Sequence, residues 1–186
     1  MNEVHHELHG SMFSLLKKFV AHTYSEDMWH QLTNEAHTTG NFETTKSYPM
    51  SDILAIIKSA SHHTGLSVIE IEEKFGEYLV PDLFKMYGSY LNPSWKTFDV
   101  LLNTERVMHG AVRHLNSAAH PPILNVSQVN EHLLIIDYYS KRKLASLAVG
   151  IIKGIANYYK ERERIEVKPT TEPDAERVQI RVEFKP

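Results

Sequence analysis

The stretch PPILNVSQVNEHLLIIDYYSKR, residues 121–142, decides the fold class. Its two prolines lack a backbone N–H and restrict the residues before them, so a helix arriving from upstream ends there. Beyond them the apolar residues change from helical spacing to strand spacing. Residues 123–126 and 132–139, enriched in Val, Ile and Tyr, read as two strands. Downstream, residues 144–160 return to helix, with Leu147, Ile151, Ile152 and Ile155 inward. Val178, Ile180, Val182 and Phe184 then alternate with polar residues, as in a half-buried strand. Ile165 and Val167 suggest its partner, joined through the polar loop 169–176.

Upstream of the prolines the pattern is helical. Gly10 and Ser11 lead into a helix whose apolar stripe is Met12, Phe13, Leu15, Leu16, Phe19 and Val20. Ser25 is placed to cap a second helix carrying Met28, Trp29 and Leu32, and Ser51 a third carrying Ile53, Ile56, Ile57 and Ala60. The polar segment 37–50 between them reads as a loop with a short extended piece. Gly65 ends the third helix, and Ser67-Val68-Ile69-Glu70 is a capping box for a fourth that runs to about Gly76. Residues 78–92 look like short helical pieces broken by Pro81, Gly88 and Pro93. A long helix then spans about Ser94 to Ser117. The expected class is α+β: a helical N-terminal subdomain, then a C-terminal antiparallel sheet with helices.

Composition narrows the function. The 186 residues carry a formal net charge of −3, without the basic bias usual in nucleic-acid binders. There is no cysteine, which excludes disulfides, thiolate metal sites and cysteine nucleophiles and fits a cytoplasmic protein. No apolar run approaches the ~18 residues of a membrane span, and no secretory signal pattern opens the chain. Residues 1–8 read as a polar extension and 9–186 as one domain. His5 and His6 in that extension fit a loose tail better than a metal site. Neither His62 with His63 nor His114 with His120 reads as catalytic.

Two features carry chemistry. His109 lies in the long helix with Phe98, Leu101, Leu102, Glu105, Met108 and Val112 near it on the helical wheel, so it faces mostly inward. A neutral imidazole in apolar surroundings is a good axial ligand for haem iron. From helix position alone, the plainer reading is a core histidine hydrogen-bonded to a neighbour. Tyr138, Ser140 and Arg142 close the second strand, and in an extended chain they point to one side. A phenol, a hydroxyl and a guanidinium together suit a pair of carboxylates. Taken alone, that trio reads more simply as a solvated strand edge.

Together these features resemble the haem nitric oxide/oxygen binding (H-NOX) family, related to the sensor module of soluble guanylate cyclase. The family carries Tyr-x-Ser-x-Arg downstream of a helical histidine, here Tyr138-x-Ser140-x-Arg142 after His109. A proline follows the histidine by thirteen residues, here Pro122. Lys46-Ser47-Tyr48-Pro49, Phe75-Gly76 and Gly150-Ile151-Ile152-Lys153-Gly154 match as well. The resemblance covers about residues 9–185, and this chain has about nine residues before the usual starting glycine, here Gly10.

The resemblance implies haem b (iron protoporphyrin IX) lying between the helical and α+β parts, with His109 as the metal ligand. Tyr138, Ser140 and Arg142 would hold the propionates, and Pro122 would press on the ring. Met108 and Ile151 join the implied cofactor contacts. Met12, Leu16, Leu79, Leu83 and Leu147 would line the distal pocket, with Leu147 where some members carry a hydrogen-bonding tyrosine. None of these five offers a strong donor. Nitric oxide and carbon monoxide are therefore the expected ligands, with little stable dioxygen binding.

Gas binding would weaken or break the His109–iron bond and shift the surface a partner sees. No cyclase, kinase or chemoreceptor segment is expected here. The output would go to a separate protein or to the rest of a longer chain. By family analogy the partner is a histidine kinase, a cyclic-dinucleotide enzyme or a chemotaxis protein. The sequence argues against an enzyme: it has no Gly-x-Ser-x-Gly elbow, and the expected pocket is too apolar for a peroxidase. A haem-free interaction module is the other alternative.

Overall fold

The computed structural model describes residues 7–115 and 120–185; His5, His6 and Ser117 lie outside the described residues. Contacts divide the chain into two compact units, Met1–Phe75 and Gly76–Pro186.

The first unit is helical. Strand β1 (Glu7–His9) pairs antiparallel with β2 (Ser47–Pro49), so the pairing takes in the last two residues of the expected extension. Helix α1 (Gly10–Thr23) follows directly and buries Phe13, Leu16, Phe19 and Val20, the inward members of its stripe. Helix α2 (Glu26–Glu35) is capped as expected, with the Ser25 hydroxyl accepting from the Met28 N–H at 3.0 Å. Helix α3 (Met50–Thr64) starts two residues earlier than the sequence suggested. Pro49 occupies the cap, so Ser51 lies inside the first turn. Gly65 ends α3 in the left-handed conformation at φ 72°.

The segment between α2 and α3 reads as polar but is pinned by aromatics. Phe42 stacks on Phe13 with ring centres 4.2 Å apart and meets Tyr48 and Trp29 edge-on. Gly10 is required here: a β-carbon on it would come within 2.0 Å of the Glu43 carbonyl oxygen.

Helix α4 (Val68–Tyr87) begins at the expected capping box, with Glu70 accepting from the Ser67 N–H and Ser67 from the Glu70 N–H. It then runs unbroken through Pro81, which corrects the reading of residues 78–92 as short pieces. Pro81 cannot donate to the Glu77 carbonyl four residues back. That carbonyl lies at the crossing with α7 (Ala145–Tyr158), within 2.8 Å of where a Gly154 β-carbon would stand. The helix survives because one lost bond costs less than the apolar packing on either side of the proline.

The second unit builds its core on a four-stranded antiparallel sheet, order β3-β4-β6-β5. The strands are β3 (Ile123–Asn130), β4 (Leu133–Tyr139), β5 (Ile165–Pro169) and β6 (Arg177–Phe184). Leu134, Ile136 and Tyr138 of β4 and Val178, Ile180 and Val182 of β6 share the buried face. Val80 of α4 and Ala145, Val149, Ile152, Ile155 and Ala156 of α7 join them in one cluster. So do Val100 and Leu101 of helix α5 (Thr97–Thr104).

Candidate functional site

The expected helix 94–117 is in fact three pieces. Helix α5 begins at Thr97, where Asp99 accepts from the Lys96 N–H and Glu161 from the Thr97 N–H. A π-helical turn covers Glu105–His109, and helix α6 (Gly110–Leu115) continues. Such turns are rare and concentrate at functional positions. The apolar spacing by itself reads as one continuous helix and does not reveal this turn.

His109 closes the π turn with a side chain only 15% exposed. Its Nδ1 lies 2.9 Å from Oε2 of Glu105. The same carboxylate oxygen accepts the Leu124 N–H at 3.0 Å, and Oε1 accepts from Arg113 at 2.6 Å. Burial alone would raise the Glu105 carboxyl. The bonds from His109, Leu124 and Arg113, with the attraction of His109, outweigh burial and hold it down at about 2. Glu105 is therefore an acceptor at neutral pH. The proton of a neutral His109 then sits on Nδ1, and the lone pair is left on Nε2.

Leu124 ties this helix to the sheet. It pairs with Tyr138 across β3 and β4, and Ile123 pairs with Tyr139 at the end of the ladder. The next residue on each chain is Pro122 and Ser140. Pro122 is half-buried.

Tyr138 is buried at 3% exposure on the core face of β4. The strand ends at Tyr139, so alternation along an extended chain does not unite Tyr138, Ser140 and Arg142. A turn does. The Ser140 hydroxyl accepts from the Arg142 N–H at 3.1 Å, the Ser140 N–H donates to the Glu176 carbonyl, and Lys143 takes φ 55°. The half-buried Arg142 guanidinium donates to the His120 carbonyl, just before the two prolines. Burial lowers the pKa of Arg142, and the nearby Tyr138 phenol opposes the shift.

The remaining candidates in this unit are apolar. Leu79 and Leu147 are buried, and Leu83, Met108 and Ile151 are half-buried. Helices α4 and α7 touch backbone to backbone. A β-carbon on Gly76 would stand 2.3 Å from the Leu147 carbonyl oxygen and 2.8 Å from the Ile151 nitrogen. Leu79 and Leu83, three and seven residues beyond Gly76, share its side of α4. Met12, half-buried, and Leu16, buried, belong to α1 in the first unit.

The donor set fits a haem: one imidazole with a free lone pair on Nε2, and a guanidinium and a hydroxyl in one turn for two carboxylates. Glu105 is the residue that sequence reasoning under-used. Its (i, i+4) spacing to His109 was visible, but its bond to the Leu124 backbone has no sequence signal.

A protein-family model described as Haem-NO-binding matches residues 9–167, well over half the chain. Among solved structures, an H-NOX protein from S. oneidensis in the Fe(II)NO ligation state is similar, with TM-score 0.87 and 18% identity, over 96% of this chain and 100% of that one. The unliganded Fe(II) H-NOX protein from K. algicida matches at TM-score 0.86 and 16% identity, over 96% and 97%. A mutant of the T. Tengcongensis H-NOX matches at 0.82 and 21%, over 96% and 98%. No curated protein matches the chain in sequence.

Proposed function

The chain belongs to the haem-NO-binding family, whose members are gas-sensor domains and not enzymes, and from that premise we propose that His109 is the axial ligand of a ferrous haem b that takes nitric oxide and carbon monoxide. The observation that carries this reading is the hydrogen bond from His109 Nδ1 to Glu105 at 2.9 Å. It leaves Nε2 as a lone-pair donor on a side chain largely shielded from water.

When bound, the haem supplies an iron that takes up a diatomic gas. The chain's own residues do the rest. Arg142 and Ser140 bind the propionates, with Tyr138 beside them, and the turn that holds them is braced on the His120 and Glu176 carbonyls. The half-buried Pro122 and Met108 would pack against the haem. Leu79, Leu83, Leu147 and Ile151 would exclude water and offer a bound gas no strong donor. Dioxygen gains most from such a donor, so it forms little stable complex, whereas nitric oxide and carbon monoxide need less help.

Residues 9–186 act as one haem-binding domain after a short extension. The domain works in the cytoplasm, and no helix among the described residues is long and apolar enough to cross a membrane. Because Glu105 joins His109 to Arg113 of α6 and to Leu124 of β3, a change at His109 on gas binding would carry to both elements. A separate partner reads that change, a histidine kinase, a cyclic-dinucleotide enzyme or a chemotaxis protein.

An absorption spectrum of the reduced protein tests the proposal. A five-coordinate ferrous Soret band that shifts with nitric oxide and carbon monoxide, but not with air, is the expected result. His109→Ala should lose that spectrum and regain it with imidazole. No Soret band after expression with ample haem would overturn the reading.

A further inference from the structure

We propose that Glu105 is the positioning residue of the axial histidine: it fixes His109 with its proton on Nδ1, strengthens the iron–histidine bond, and couples that bond to strand β3. The inference rests on the reading of His109 as the haem ligand. It adds a residue and a role that the family resemblance does not assign.

The geometry is a three-way junction. Donors from the end of the π turn (His109), from α6 (Arg113) and from the first residues of β3 (Leu124) converge on one carboxylate at 2.9, 2.6 and 3.0 Å. The Glu105 side chain is 30% exposed, so water competes only in part for its lone pairs. With Leu124 and Arg113 holding both oxygens, the carboxylate cannot swing away from the ring. The imidazole is thereby held in orientation as well as in tautomer.

The identity of the acceptor matters. Hydrogen bonds to an ionised carboxylate are roughly twice as strong as neutral ones, and they draw the Nδ1 proton away from the ring. More electron density then stays on Nε2, which makes it a better σ-donor to a metal. Arg113 moderates this effect by sharing the same charge.

The junction also sets where movement goes. Leu124 pairs with Tyr138, and the neighbouring pair Ile123–Tyr139 leads straight to Ser140 and the Arg142 turn. A displacement of His109 therefore pulls on β3 through Glu105. It reaches the propionate-binding turn without passing through the iron.

Two measurements test the inference on different states of the protein. In haem-free protein, nitrogen-15 NMR of the His109 ring should show the proton on Nδ1 in the wild type. It should move toward the Nε2-protonated form of free imidazole in Glu105→Leu, with near-isosteric Glu105→Gln between them. In ferrous haem-loaded protein, resonance Raman should show the iron–histidine stretch falling in the same order. Haem loss should quicken by about 10- to 100-fold, the usual cost of removing such a partner.

A wild-type chain that takes up no haem sinks the axial-ligand reading itself. A haem carried by His109, with the stretch and the ring tautomer unchanged in Glu105→Gln and Glu105→Leu, sinks the role of Glu105 alone. Should Glu105→Leu fail to fold, the Gln variant and the wild-type tautomer still decide.

Discussion

Gly76→Ala tests the α4–α7 crossing, and its expected sign runs against intuition. Alanine is the better helix former, so in an open helix the change should stabilise by about 1 kcal/mol. Gly76 is not in an open position. Its new β-carbon would fall 2.3 Å from the Leu147 carbonyl oxygen, 2.8 Å from the Ile151 nitrogen and 2.9 Å from the Gly150 α-carbon. All three atoms are backbone of α7, so no side chain can rotate aside and the helix itself must shift. Overpacking costs typically ~1–3 kcal/mol where side chains can yield, and this site sits at or above the upper end. The net expectation is a loss of about 2 kcal/mol, or roughly 4–8 °C in melting temperature for a chain of this size.

Gly110→Ala is the internal control. That residue is helical (φ −58°, ψ −47°), and a β-carbon there meets nothing within 4 Å. In haem-free protein it should gain up to ~1 kcal/mol, or about 2–4 °C. Thermal melts of the two variants beside the wild type settle the matter. If Gly76→Ala melts at or above the wild type, the helices can separate at no cost, and the close crossing does not govern this unit's stability.

Glu72 is buried, and desolvation pushes its carboxyl up to about 7 from the ordinary 4.5. Between those values the folded chain binds more protons than the unfolded one. The contribution of Glu72 to stability is therefore full below about pH 4.5, falls as pH rises to 7, and is lower by roughly 3 kcal/mol above it. Denaturant titrations across that window should show the slope in the wild type and a flat profile in Glu72→Gln; equal slopes would refute it. Leu147→Tyr should gain a lasting oxy spectrum by placing a phenol donor in the distal pocket, and a wild type that already holds dioxygen would overturn the donor-free reading.

Much of the fold was legible because its determinants are local. The capping box at Ser67 and Glu70, the cap at Ser25, the left-handed stop at Gly65 and the alternation from Val178 to Phe184 each depend on residues a few positions apart. Local reasoning failed elsewhere. Pro81 looked like a helix breaker and is not one. Ser51 lost the cap to Pro49. Strand alternation seemed to gather Tyr138, Ser140 and Arg142, but the strand stops at Tyr139 and a turn closed by Ser140 does so instead.

The candidate site divides in the same way. Sequence by itself determined which chemistries are present: a helical histidine, a Tyr-x-Ser-x-Arg run, a proline at a fixed distance and no cysteine. Only the tertiary structure decided that Glu105 bridges His109, Arg113 and the Leu124 backbone, and that Arg142 reaches the His120 carbonyl. A side chain's type and spacing are written in the chain. The backbone donor or acceptor that completes its hydrogen bonds is the same peptide group at every position, and only folding selects which one arrives.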